Sequence, residues 1–188
     1  MTDRSLPPVL VVMVGHPSDA IRRTELPCHA PFAEFLAREL LPWICQQYQV
    51  SFHPSRTVVG GMSYGGLAAA YAGLRYPELF GNILSQFGSF NWKPEAEEEY
   101  KWLVRQLGAS PRLPLQWYLS VGLLETRPSE GARPNLLLAN RHLRDILQAK
   151  GYPVHYREFN GGHDLVWQLS ILAEGLRVLL GSARHLWT

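Results

Sequence analysis

Residues Gly61-Met62-Ser63-Tyr64-Gly65 read G-x-S-x-G, and they stand where an apolar run, Thr57–Gly61, meets a helical stretch rich in small residues, Gly66–Arg75. That context constrains the chain more than any other feature in it. A strand that turns at once into a helix forces the serine into a strained backbone conformation, and side chains on its neighbours would clash. Gly66, Ala68, Ala69 and Ala70 let such a helix lie close against a sheet. The pattern predicts an exposed serine hydroxyl at the C-terminal edge of a parallel sheet. An ordinary glycine-rich βα turn is the alternative reading.

The rest of the chain supports an alternation of strand and helix. Five strands are expected, at Val9–Val14, Thr57–Gly61, Asn82–Phe87, Leu115–Val121 and Val154–Phe159, each nearly continuous in apolar character as strands covered on both faces are. Helical spacing predicts helices over Pro31–Tyr48, Gly66–Arg75, Pro94–Leu107, Pro134–Lys150 and Leu165–Leu180. Pro42 lacks a backbone donor and should kink or restart the first, and Gly151 should stop the fourth. Glu95, Glu97, Glu98 and Glu99 are expected in the first turns of the third, at the positive end of its dipole. The fold class is α/β, a mostly parallel sheet with helices on both faces, about five βα units, in one domain over residues 1–188. The stretches Gly15–Ala30 and Gly122–Arg133 follow strand C-termini, the edge at which open α/β sheets bind ligands.

Composition narrows the chemistry. Lys and Arg number 18 against 16 Asp and Glu, a net +2 without a basic block, which argues against a nucleic-acid partner. No apolar run approaches the ~20 residues that cross a bilayer. The segment Met1–Ala20 imitates a signal peptide, but Asp3, Pro7, Pro8 and the lack of a small-x-small site favour a buried strand there. Cys28 and Cys45 form no Cys-x-x-Cys pair, so a reducing compartment, the cytoplasm, is expected. Metal, phosphate-loop and dinucleotide signatures are missing, so no metal and no cofactor is expected.

A serine hydroxyl needs a base, and His163, in Asn160-Gly161-Gly162-His163-Asp164, stands just past the last predicted strand at the correct sheet edge. The carboxylate that would fix its tautomer belongs after the preceding strand, and Glu125 fills that slot. Asp164 and a dyad without an acid remain the alternatives.

These residues resemble the enterochelin (enterobactin) esterases and their esterase-D-like relatives among the α/β-hydrolases. The resemblance rests on Thr57–Ala68, on Phe80–Trp92, on Glu158–Asp164 and on the first loop through Arg22-Arg23-Thr24-Glu25-Leu26. It implies hydrolysis of the ester bonds of a catecholate siderophore, usually as its iron complex, a small-molecule substrate. Ser63 would be the nucleophile, His163 the base, Glu125 the acid, and the Tyr64 N–H one oxyanion donor. Arg22 would bind the anionic substrate, with Trp92 as an aromatic wall and Glu25 holding the first loop together. The resemblance also implies that the family's N-terminal domain and first three strands are not represented here. The family's third strand would lie between Val9–Val14 and Thr57–Gly61 and lead to the second oxyanion donor. Losing one donor costs ~10²–10³ in turnover. An oligomer or a partner chain could fill that place. The competing readings are a simple acyl or feruloyl esterase, and a catalytically impaired fragment or binding module.

Overall fold

The computed structural model describes residues 6–48, 50, 52–127 and 133–181. In chain order they form α1 (Asp19–Glu25), α2 (Ala30–Phe35), a π-helical segment (Leu36–Leu40), α3 (Leu41–Gln47), a 3-10 turn (Pro54–Arg56), β1 (Val58–Met62) and α4 (Tyr64–Arg75). There follow β2 (Asn82–Gln86), α5 (Trp102–Ala109), β3 (Gln116–Gly122), α6 (Leu136–Ala149), β4 (Val154–Phe159) and α7 (Gln168–Leu180). The four strands form one wholly parallel sheet in the order β1-β2-β3-β4.

Alternation along the central strands divides the core. Ile83, Trp117 and Leu119 face one layer with the helices α4, α5 and α6, whereas Leu84 and Tyr118 face α7 through Ile171 and Leu179. Every residue of β2 is buried, as expected of a strand covered on both faces.

Three expectations are corrected. Val9–Val14 forms no strand among the described residues, and all six residues are exposed, Val11 at 61% and Met13 at 90%. Its neighbour across the gap is β1, and between them runs a cleft of about 1250 Å³, so no backbone ladder can form. The cleft is lined by Phe32, Leu36 and Ile44 on the α2–α3 side and by Leu172 and Leu176 on the α7 side. The sheet therefore has four strands among the described residues, and β1 lies at its edge.

The third helix begins at Trp102, not Pro94, behind Lys101 at φ 63°. The Arg105 guanidinium donates to the carbonyls of Glu99 (2.7 Å) and Tyr100 (2.5 Å) and pairs with Glu97 (2.8 Å), which keeps residues 94–101 in turns. Glu97 and Glu99 thus meet a cation rather than a helix dipole.

Helix runs from Ala30 to Gln47 with a π-helical segment just ahead of Pro42, as the expected kink or restart there requires, but α1 forms within what reads as a loop. Pro42 cannot continue the α-helical register, and the turn before it widens so that Leu41 N–H reaches Leu36 C=O, five residues back. Ser18 starts α1 by accepting the Ile21 N–H at 3.2 Å.

Candidate active site

The turn from β1 into α4 places Ser63 at φ 58° and ψ −120°, a conformation outside the ordinary allowed regions. The surrounding glycine explains how it is tolerated. A Cβ on Gly61 would stand 2.5 Å from the Gly65 carbonyl carbon, a backbone atom that cannot give way. The Ser63 N–H donates to Gln86 C=O at 2.9 Å, and its own C=O receives the Leu67 and Ser89 N–H groups at 3.1 Å each. Strand, helix and the loop after β2 all hold the serine in place. The Tyr64 N–H stands at the first position of α4, where a helix offers its donors no internal acceptor.

Glu125 lies in the turn that ends β3, and its carboxylate is 2% exposed. His163 Nδ1 is 2.8 Å from Glu125 Oε2, and the imidazole is 39% exposed. Two backbone hydrogen bonds join the loops that carry them, Leu123 N–H to Phe159 C=O (2.9 Å) and Leu124 N–H to Gly161 C=O (3.0 Å). Gly122 is required by this contact, because a Cβ there would stand 2.3 Å from Gly161 O. The Gly122 N–H lies 3.4 Å from Glu125 Oε1, and the Leu137 N–H donates to Glu125 C=O at 3.2 Å. Asp164 instead accepts the Val166 N–H at 3.1 Å, a local turn contact.

Ser63 and the Glu125–His163 pair flank the end of β2. The His163 ring packs on Phe87 with centroids 5.5 Å apart, and Phe87 directly follows Gln86, the acceptor of the Ser63 N–H. The Ser63 hydroxyl is not on His163. It is 3.3 Å from Ser89 Oγ. Ser89 and Phe87 are site residues given no role in the sequence reading. Both lie in the Phe80–Trp92 stretch that carried the family resemblance, but neither residue type announces a function.

The remaining candidates lie apart from this pair. Arg22 lines the cleft together with Gly61, Met62 and Gly65. Trp92 packs edge-on against Trp102, centroids 6.2 Å apart, on the margin of the core. Glu25 Oε2 is 3.4 Å from His16 Nε2, a contact within the first loop. Burial pushes the Cys28 thiol up, which makes it a poor nucleophile. Among the described residues, no group of His, Cys, Asp or Glu could hold a metal ion, and no helix is long and apolar enough to cross a membrane.

The model of the Esterase family matches residues 10–178. The chain belongs to that family. Within the Esterase family it is 36% identical to the iron(III) enterobactin esterase of Dickeya dadantii, over 93% of this chain and 41% of that protein. It is 34% identical to the enzyme of the same name from Escherichia coli, over 92% of this chain and 42% of that protein. A solved structure of the enterobactin esterase from Shigella flexneri, obtained in the presence of enterobactin, superposes with a TM-score of 0.81 at 34% identity. It covers 94% of this chain and 43% of that one. The chain thus spans about two-fifths of the length of the curated Esterase-family relatives it matches.

Proposed function

We propose that this chain is the catalytic part, one α/β-hydrolase domain, of a serine esterase that hydrolyses the ester bonds of a catecholate siderophore, in the cytoplasm. The observation that carries the reading is the 2.8 Å contact between Glu125 and His163 at the sheet edge that also presents Ser63. Glu125 accepts the Nδ1 proton and leaves Nε2 as the basic nitrogen. The Ser63 hydroxyl turns from Ser89 to Nε2, loses its proton there and attacks the ester carbonyl. The carbonyl oxygen takes the negative charge and meets the Tyr64 N–H. The imidazolium then protonates the departing alcohol, and water, deprotonated by the same nitrogen, releases the acid from Ser63. The relatives named for iron(III) enterobactin support the substrate class, and two free cysteines support a reducing compartment.

A stoichiometric fluorophosphonate adduct on the protein, absent from Ser63→Ala, tests the activated serine without presuming a substrate. Turnover of the ferric catecholate ester against a neutral aryl ester then tests the substrate. A preference for the neutral ester beyond ~10-fold in kcat/KM would replace the siderophore reading with a general acyl or feruloyl esterase.

The cleft beside β1 favours one further element of the proposal. We infer that a further extended segment, from a second chain or from sequence outside these residues, occupies it, pairs with the free edge of β1 and covers the apolar lining. No adduct on a folded sample would mark the chain as a catalytically impaired module that needs that segment.

A further inference from the structure

We propose that Arg133 is a specificity-determining residue that receives the negative charge of the substrate, an inference that rests on the siderophore-esterase reading. Arg133 lies two residues before Asn135, the N-cap of α6, and the Leu137 N–H bond to Glu125 C=O ties the start of that helix to the turn that carries the acid. Its Nη2 donates to Asn91 Oδ1 at 3.1 Å, while Asn91 Nδ2 donates to Pro134 C=O at 2.9 Å. The Asn91 side chain is therefore clamped between a guanidinium and the next residue's carbonyl, and it is 2% exposed. Two residues earlier stands Ser89, the hydroxyl in contact with Ser63. One short segment, Ser89-Phe90-Asn91, thus connects the nucleophile to a half-buried cation.

That cation has no carboxylate partner among the described residues. Arg23, Arg105, Arg141, Arg144 and Arg157 each face a carboxylate. Arg133 meets only the neutral amide of Asn91 among the described residues, and its buried Nε has no hydrogen-bond partner. Withdrawing a guanidinium from water without an opposing charge is unfavourable, and an arriving anion removes that penalty. The planar fork suits catecholate or carboxylate oxygens, which accept two parallel N–H bonds. A ferric tris-catecholate carries such oxygens and a net negative charge, and a neutral ester does not.

The test compares the protein with Arg133→Met and Arg133→Lys on two substrates, the ferric cyclic tri-serine catecholate and a neutral aryl ester. The expected result is a loss in kcat/KM for Arg133→Met that is at least ~10-fold larger on the anionic substrate, carried mainly by KM. Arg133→Lys should restore part of that ratio, because it keeps the charge and loses the fork. Equal losses on both substrates would make Arg133 a structural tie to Asn91 and overturn the proposal, as would no loss at all. Titration of the ferric catecholate into Ser63→Ala, by quenching of tryptophan fluorescence, separates the two levels of the argument. Binding that Arg133→Met leaves unchanged sinks the role of Arg133 alone. Absence of binding to Ser63→Ala sinks the siderophore reading and this inference with it.

Discussion

Glu125 Oε2 lies 2.8 Å from His163 Nδ1, with the carboxylate buried and the imidazole open to solvent on its other side. In the proposed mechanism the fixed acid selects one tautomer of the accessible imidazole and leaves the second nitrogen to act on substrate.

Glu125→Gln should therefore lower kcat by roughly 10²- to 10⁴-fold, with the fold intact by circular dichroism. Glu125→Asp should recover part of the loss. Turnover of any ester the parent protein cleaves provides the measurement, and an unchanged kcat would reduce the apparatus to Ser63 and His163.

Gly61→Ala should destabilise the protein by about 1–3 kcal/mol, because the new methyl meets backbone at 2.5 Å. Gly108→Ala, whose nearest neighbours are Ile146 carbons at 3.9 Å, is the control and should gain about 0.5–1 kcal/mol as a helical glycine replaced by alanine. Urea unfolding curves compare the two, and equal midpoints would refute the steric account of the turn.

Glu158 sits in the fork of Arg141 at 2.7 and 2.8 Å and accepts the Tyr156 hydroxyl at 2.9 Å. Its hydrogen bonds with Arg141 hold its carboxyl below the ordinary value of 4.5. A carboxyl lowered in the folded state contributes stability above its unfolded pKa and loses it as pH falls through the folded one. Glu158→Gln should thus lower Tm at neutral pH, and the gap to the parent should close in acid. Thermal melts at stepped pH check this. A gap that stays constant with pH would assign the effect to packing.

Val11 and Met13 leave their side chains in water beside an unpaired strand edge, a combination that favours association with other strands. The isolated chain should self-associate, and Val11→Lys with Met13→Lys should shift sedimentation toward monomer. A parent chain that sediments as a cooperatively melting monomer would remove the case for a partner in the cleft.

The nucleophile turn was legible because its chemistry is local. Gly61, Ser63 and the small residues of α4 are needed by one short stretch of backbone, and β4 spans the expected residues, Val154 to Phe159. Glu125 and His163 were legible from chain order, each lying past the end of a strand. Val9–Val14 is more continuously apolar than β4, yet pairing depends on a neighbour that its own residues do not specify. The π-helical turn followed from Pro42 in kind, but its width did not. Glu97 and Glu99 were misplaced because their partner, Arg105, acts across a turn on backbone carbonyls, which helical spacing does not register. Arg133 had no signature at all. Its meaning comes from Asn91, 42 residues away in the chain.

The two backbone bonds from Leu123 and Leu124 to the loop after β4 weld acid and base into a single mechanical part. The serine belongs to a different part, hung from β1 and α4. A disturbance at the sheet edge would leave the first part in register and displace the second, so the protein's fault line runs between Ser63 and His163. Under the proposed mechanism, damage along it would stop acylation while the imidazole kept its carboxylate partner, leaving two of the three proposed pieces in register.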